Sequence, residues 1–258
     1  MPSGRVWKYI NEVISRDNLM HLTLIDPDPL TQSAEKAGKI AKVAVDAGSD
    51  GIMVGGSTAF GILDETVKEI KSKVDKPVIL FPGNVNGLTK YADAVFFMSL
   101  LNSSNPYWII EAQMLCAPAA RLFGLETISM AYLVIEPGGS AGWVGEAHLI
   151  PRDKPKLAAA YAMAAETIGY KLVYLEAGSG AGMSVPAEMV RLVSSTIGIP
   201  LVVGGGIVTL EQAVDIVKAG AKIIVQGNIV EKTALSDGGK LIKATIAKSK
   251  EAASGKKV

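Results

Sequence analysis

The sequence predicts an α/β fold of the closed-barrel kind, and three observations carry that expectation. Eight short apolar runs recur along 258 residues, each separated from the next by a crossover segment. Runs this continuously apolar are buried on both faces, as strands of a parallel sheet are. The length suits one eight-stranded barrel, and eight βα units in one domain favour closure over an open sheet.

The first strand is expected over 20–26, MHLTLID, followed by a helix over Thr31–Ala47 with Thr31 as N-cap. Residues 51–56 form the second strand and Ile62–Val74 the next helix. The third strand spans 76–83 and the fourth 93–100. The helix Pro106–Phe123 has proline at its start and Gly124 just past its end, both favoured places. The fifth strand lies within 126–138, and Pro155–Ile168 is a helix closed by Gly169. Strand six at 170–180 precedes a helix over Val185–Ile197. Strand seven at 199–206 precedes Leu210–Ala219, and strand eight at 221–228 precedes a last helix over Gly238–Glu251. One domain covers 1–258, with a frayed tail from about 250.

Two segments break the repeat. NVNGLTKYA (84–92) is too short and glycine-broken for a crossover helix. The stretch 136–155 after strand five is long and glycine-rich, and a loop of that length in a compact domain is usually functional.

Composition narrows the class. Almost half the residues are apolar (49%), enough for a large core, and the charge is balanced at +1, which argues against nucleic acid as a partner. The single cysteine, Cys116, excludes a disulfide framework and reads as a small buried hydrophobe. The first residues, MPSGRVWKYINEV, hold no apolar signal core, and no run is long enough to span a membrane, so a cytoplasmic protein is expected.

Chemistry is expected at the strand ends. VVGGGI (202–207) and VQGN (225–228) end strands seven and eight, where barrels commonly cup a phosphate in main-chain N–H groups. Glycine permits the close approach that a side chain would block. Asp26 and Asp28 in LIDPDP suit Mg²⁺, which takes a few protein oxygens plus substrate phosphate, or else a local Asp–Pro turn. Ser57 in GGST serves a diphosphate, a metal shell or a helix cap, with the glycine of FPGN beside it. Glu176 ends strand six beside the phosphate cup, as a proton acceptor for a substrate hydroxyl or as half of a structural ion pair. Tyr174 contacts the phosphate or lines the pocket. His21 and His148 are the only histidines and offer no triad or zinc motif.

The motifs HLTLIDPD, DGIMVGGS, ILFPGN, AYLVIEPGGSAGWVGEA, VYLEAGSGA, VVGGGI and VQGN, in this order, resemble those of the archaeal geranylgeranylglyceryl phosphate synthases over about residues 7–248. The resemblance implies a modified (β/α)₈ TIM barrel whose third helix is replaced by a non-helical segment. It implies prenyl transfer from geranylgeranyl diphosphate to the 3-hydroxyl of sn-glycerol 1-phosphate, the first ether bond of archaeal membrane lipids. By the resemblance Asp26 and Ser57 hold Mg²⁺. Tyr174, Leu175, Glu176, Ala177, Gly178, Ser179, Gly180, Gly205, Gly206, Gly227 and Asn228 bind the glycerol phosphate, with Glu176 as base. The region of the missing helix, near Tyr91, Phe96 and Phe97, is a candidate groove for the prenyl chain, and Trp143 a candidate cover. The Ala-rich helices 106–123 and 155–168 offer surfaces for a homo-oligomer. The alternatives are a bacterial-type synthase using a longer prenyl donor, a phosphate-binding barrel isomerase with Asp26 as acid/base, and a non-catalytic scaffold.

Overall fold

Eight parallel strands pair in chain order: β1 (Met20–Ile25), β2 (Gly51–Val54), β3 (Val78–Leu80), β4 (Ala94–Leu100), β5 (Glu126–Val134), β6 (Leu172–Glu176), β7 (Leu201–Gly204) and β8 (Ile223–Gln226). β8 also pairs with β1, from Met20↔Ile223 to Thr23↔Gln226, which closes the barrel. The computed structural model describes residues 4–30, 32–57 and 61–255.

Alternation along each strand divides the core. Met20, Leu22, Ile79, Phe96, Met130, Tyr132, Tyr174, Val202 and Val225 fill the barrel. Their neighbours, such as Ile25, Ile52, Leu175 and Val203, face outward beneath the helices. Those helices include α2 (Ala34–Asp46), α3 (Leu63–Lys73), α4 (Ala112–Leu122), α6 (Pro155–Ile168), α7 (Ala187–Thr196) and α8 (Leu210–Lys218). The chain between β3 and β4, residues 81–93, contains only turns and bends, so the third crossover has no helix, as expected.

Several elements depart from the sequence reading. The first is an unassigned helix, α1 (Arg5–Asp17), whose Val6, Ile10 and Val13 join the barrel-interior cluster. Its N-terminus is held by Glu126 at the start of β5, whose carboxylate accepts from Val6 N and Trp7 N at 2.8 Å each. The helix therefore plugs the N-terminal end of the barrel. The expected N-cap Thr31 lies outside the described residues; Ser33 caps α2 by accepting from Lys36 N at 3.2 Å. The expected helix 106–123 opens with a π-helical turn, Tyr107–Glu111, before α4.

The loop after β5 contains a short helix, α5 (Gly139–Val144). Another unassigned helix, α9 (Asn228–Asp237), follows β8 directly and precedes α10 (Lys240–Ala253). The tail expected to fray from about 250 is instead helical to Ala253. Lys250 pairs with Asp17 at 2.8 Å and Asp50 at 2.9 Å, and Asn18 donates to the Ala253 carbonyl at 2.7 Å. These contacts tie α10 to the barrel floor. Among the described residues, no helix is long and apolar enough to cross a membrane.

Candidate active site

A cavity of about 360 Å³ opens at the C-terminal end of the strands, where barrel sites lie. Its wall is contributed by loops from opposite sides of the mouth. On one side stand Asp26, Gly55, Gly56 and Ser57 after β1 and β2, with Gly83 and Asn84 after β3. On the other stand Glu176, Ser179, Gly227 and Asn228 after β6 and β8.

The second side has the features of an anion cup. Three loops lock together there: Ser179 Oγ donates to Asn228 Oδ1 at 2.9 Å, and Ala177 N donates to Gly204 O at 3.2 Å. Gly227 precedes α9 and carries no side-chain cap, so the terminus of that helix before Val230, whose N–H donates to Gly227 O at 2.8 Å, is open to a ligand. The helix after β7 differs: Thr209 and Gln212 close a capping box on α8. The uncapped helix terminus at this side of the cavity is thus that of α9, which the strand-end reading does not assign.

Glycine is required where main chain approaches the carboxylate. Gly205 has φ +75°, and a Cβ there would sit 2.0 Å from Glu176 Oε1. Gly205→Ala is therefore expected to displace Glu176 and strain the loop. A misplacement on this scale costs roughly 10²-fold in turnover, checked by kinetics beside a thermal melt; unchanged turnover would show that the loop yields freely.

Glu176 is buried, and burial raises its pKa above the ordinary carboxylate range. Gly178 N donates to its Oε1 at 2.6 Å, and the hydroxyls of Tyr174 and Tyr132 also donate to the carboxylate, all favouring its charged form. Tyr132 was not singled out in the sequence. It sits mid-run on β5, and only the register Tyr132↔Tyr174 sets it beside Glu176. The two rings and Phe81 pack as an aromatic floor with centroids 5.2–5.7 Å apart.

Tyr174 itself is 1% exposed and lies in this floor, against Gly204, rather than on the cavity wall. Leu175 and Ala177 turn their side chains into the outer core, so they have only main-chain atoms to offer a ligand. Gly178, Gly180 and Gly206 adopt positive φ in the loops around Glu176 and Asn228.

The first side is acidic. Asp26 has its pKa raised to about 6, first by burial, then by the nearby carboxylates of Glu231 and Asp28. Its Oδ1 is buried without a hydrogen-bond partner. Gly56 lets the main chain pack against this carboxylate, since a Cβ there would be 2.3 Å from Asp26 Oδ2. Glu231 on α9 was also missed. Its Oε1 accepts from Asp26 N at 3.0 Å and from Gln32 Nε2 at 2.8 Å. Recognising 228–237 as a helix would have placed this acid near the mouth. Asp28 Oδ1 accepts from Leu30 N at 2.9 Å, a local turn bond.

Among the described residues, no cluster of three His, Cys, Asp or Glu forms a ready metal cage. An orphaned carboxylate oxygen beside Ser57 instead fits a cation that takes most of its oxygens from substrate and water.

From the mouth the cavity runs past Leu88, Val95, Phe96, Phe97 and Trp108 to Ala112 and Cys116 on α4. Residues from both faces of β4 line it, which requires an opening in the wall where a third helix would otherwise pack. Phe96 and Phe97 are thus at the groove; Tyr91 is not on its lining and sits under Lys68 Nζ, 4.0 Å from the ring centre. Trp143 is 85% exposed and covers nothing in the cavity, whereas Ala141 and Val144 of the same helix line it.

Fold and site together define a (β/α)₈-barrel enzyme whose cavity at the strand ends continues into an apolar annex. The family described as the PcrB family matches residues 11–248. The geranylgeranylglyceryl phosphate synthase of Pyrococcus horikoshii is 57% identical over 231 residues, covering 89% of this chain and 90% of that protein. That of Methanosphaera stadtmanae is 53% identical over 226 residues, covering 87% and 92%. The crystal structure of (S)-3-O-geranylgeranylglyceryl phosphate synthase from Thermoplasma acidophilum, in complex with sn-glycerol-1-phosphate, superposes with a TM-score of 0.89 at 41% identity, over 94% of this chain and 98% of that one. The chain belongs to the PcrB family and is a prenyltransferase of lipid biosynthesis.

Proposed function

We propose that this enzyme transfers the geranylgeranyl group of geranylgeranyl diphosphate to the 3-hydroxyl of sn-glycerol 1-phosphate, with Mg²⁺ as cofactor. The observation that carries the reading is one cavity with two anion-binding rims and an apolar groove. Relatives named for this product, one of them solved with sn-glycerol-1-phosphate, support it.

In this reading the acceptor phosphate rests on the N-terminus of α9 and the glycines of the β6, β7 and β8 loops. That anchors its glycerol 3-hydroxyl toward Glu176. Glu176 takes the hydroxyl proton as the oxygen attacks the allylic carbon. The ether C–O bond forms, the carbon–diphosphate bond breaks, and the electron pair leaves on the diphosphate. Asp26 and Ser57 would hold Mg²⁺, which when bound offsets diphosphate charge and aids its departure. Phe96, Phe97 and Trp108 shelter the chain, and the floor of Phe81, Tyr132 and Tyr174 keeps water from the reacting carbon. The exposed apolar residues Ile110, Met114 and Leu122 on one helical segment and Ile168 on α6 support a homo-oligomer.

The test is direct. Purified protein, Mg²⁺, sn-glycerol 1-phosphate and labelled geranylgeranyl diphosphate are expected to give an acid-stable prenyl ether. A series of shorter and longer donors reads chain length in the same assay. No product with any donor would remove the proposal.

A further inference from the structure

The two glycine loops that hold the acceptor phosphate are not joined by strand pairing. The β7–β8 ladder ends at Gly204↔Val225, one residue short of Gly205 on one strand and two short of Gly227 on the other. We infer that Gln226 is a positioning residue that fixes the spacing of these two loops, with His21 setting the direction of its amide. The inference rests on the acceptor-site reading above and deepens it.

Gln226 ends β8 and immediately precedes Gly227–Asn228, while Ile207 immediately follows Gly205–Gly206. Val225 faces the barrel interior, so alternation turns Gln226 outward, where it is 4% exposed. There its Nε2 donates to the Ile207 carbonyl at 3.1 Å. One side chain thus bridges the root of one loop to the root of the other.

The orientation of that amide follows from its partners. The Ile207 carbonyl only accepts, so the amide nitrogen must face it. The amide oxygen is then left facing His21 Nε2 at 3.1 Å, and that nitrogen must carry the hydrogen. His21 Nδ1 is the acceptor in turn, toward Ser49 Oγ at 3.1 Å. Burial holds His21 neutral, its pKa pushed down to about 4, so this tautomer persists at neutral pH. The relay is Ser49 to His21 to Gln226 to Ile207, and it ends on the loop that contacts the ligand. It lies outside the barrel wall and touches neither substrate.

A tie of this kind acts on one substrate. Cutting it lets the two loops drift apart, so the acceptor phosphate loses N–H contacts while the diphosphate rim across the mouth keeps its own. Calorimetric titration of sn-glycerol 1-phosphate into the full-length chain tests this in the wild type, Gln226→Leu and Gln226→Glu, with thermal melts and steady-state kinetics on the same samples. Kd and KM for sn-glycerol 1-phosphate are expected to rise about tenfold, equivalent to about 1.4 kcal/mol. KM for the prenyl diphosphate is expected to stay within about twofold. His21→Phe shifts the acceptor constants in the same direction by a smaller factor.

Acceptor affinity unchanged in Gln226→Leu overturns the tie. So does a parallel rise in both KM values with a lowered melt, which would make Gln226 a general structural residue. If Gln226→Leu fails to fold, Gln226→Asn carries the same comparison. It keeps an amide at one methylene's shorter reach, and unchanged acceptor affinity in it is equally fatal. A wild-type chain that does not bind sn-glycerol 1-phosphate overturns the acceptor-site reading itself, whereas equal binding by wild type and variants overturns the tie alone.

Discussion

Glu176→Gln is expected to lower turnover by roughly 10²–10⁴-fold, the range for removal of a positioned general base. The substitution keeps size and shape: Gly178 N still finds the amide oxygen, and a tyrosine hydroxyl that meets the new amide nitrogen turns to accept from it. What disappears is the capacity to take a proton. The pH profile separates this from a loss of binding. Burial raises the Glu176 pKa, so the active, ionised form accumulates only as pH climbs through a value above the ordinary carboxylate range. The wild type therefore shows an acidic limb displaced upward, and the variant shows residual activity without it. Stability moves the other way. A carboxyl whose folded pKa is raised favours folding while protonated and opposes it as pH rises past the unfolded value. At neutral pH Glu176→Gln is thus expected to melt no lower than the wild type. Turnover within threefold of the wild type would remove Glu176 from the reaction.

If Asp26 holds the proposed cation, Asp26→Asn is expected to abolish most activity, on the order of 10² to 10³-fold, by weakening the hold on that cation and the diphosphate. A second readout does not depend on turnover. In the metal-free wild type, Asp26 is ionised at neutral pH against burial, Glu231 and Asp28, with its pKa raised to about 6. The unfolded chain ionises the same group near pH 4, so stability is lost as pH rises between those values and stays lost above them. Replacing the charge restores about 1–2 kcal/mol, discounted for the group's partial exposure, and raises the melt by a few degrees. Mg²⁺ with diphosphate is expected to stabilise the wild type and to do little for the variant. A metal-dependent melt shift of equal size in both proteins would place the cation elsewhere.

Both predictions concern residues visible in the sequence because a strand end is a local signal. An apolar run stops and a glycine or Asp–Pro pair follows, and at strands one and six the polar residue there, Asp26 or Glu176, faces the mouth. Asp26, Ser57, Glu176 and the glycines at 205–206 and 227 were legible on those grounds. The eight strands were legible for a related reason, since burial on both faces leaves a continuous apolar run. The absent third helix was legible because NVNGLTKYA has too few residues and too many breaks to form one.

The partners of these residues were not legible. Tyr132 sits between apolar neighbours on β5 and reads as core until the β5–β6 register sets it opposite Tyr174. Glu231 reads as a first-turn acid of a helix that was not assigned, and 205 residues separate it from the Asp26 N–H it accepts from. The helix α1 was missed although Val6, Ile10 and Val13 carry a helical spacing. That spacing shows an apolar stripe and leaves open that the stripe plugs the barrel floor. Tyr91 and Trp143 erred in the opposite sense: aromatic character suggested a groove and a cover, while packing sent one under Lys68 and the other into solvent.

Local pattern alone carries the barrel, its open third crossover and which strand ends bear carboxylate, hydroxyl and glycine. Those are properties of single segments, set by local periodicity and local backbone freedom. It takes the folded barrel to set the Asp26–Ser57 loops and the Glu176–Asn228 loops on one cavity, Tyr132 and Tyr174 beside Glu176, Glu231 behind Asp26, and Gln226 between the β7 and β8 loops. Each depends on barrel closure and strand register, which bring together groups far apart in the chain, and no local pattern encodes that distance.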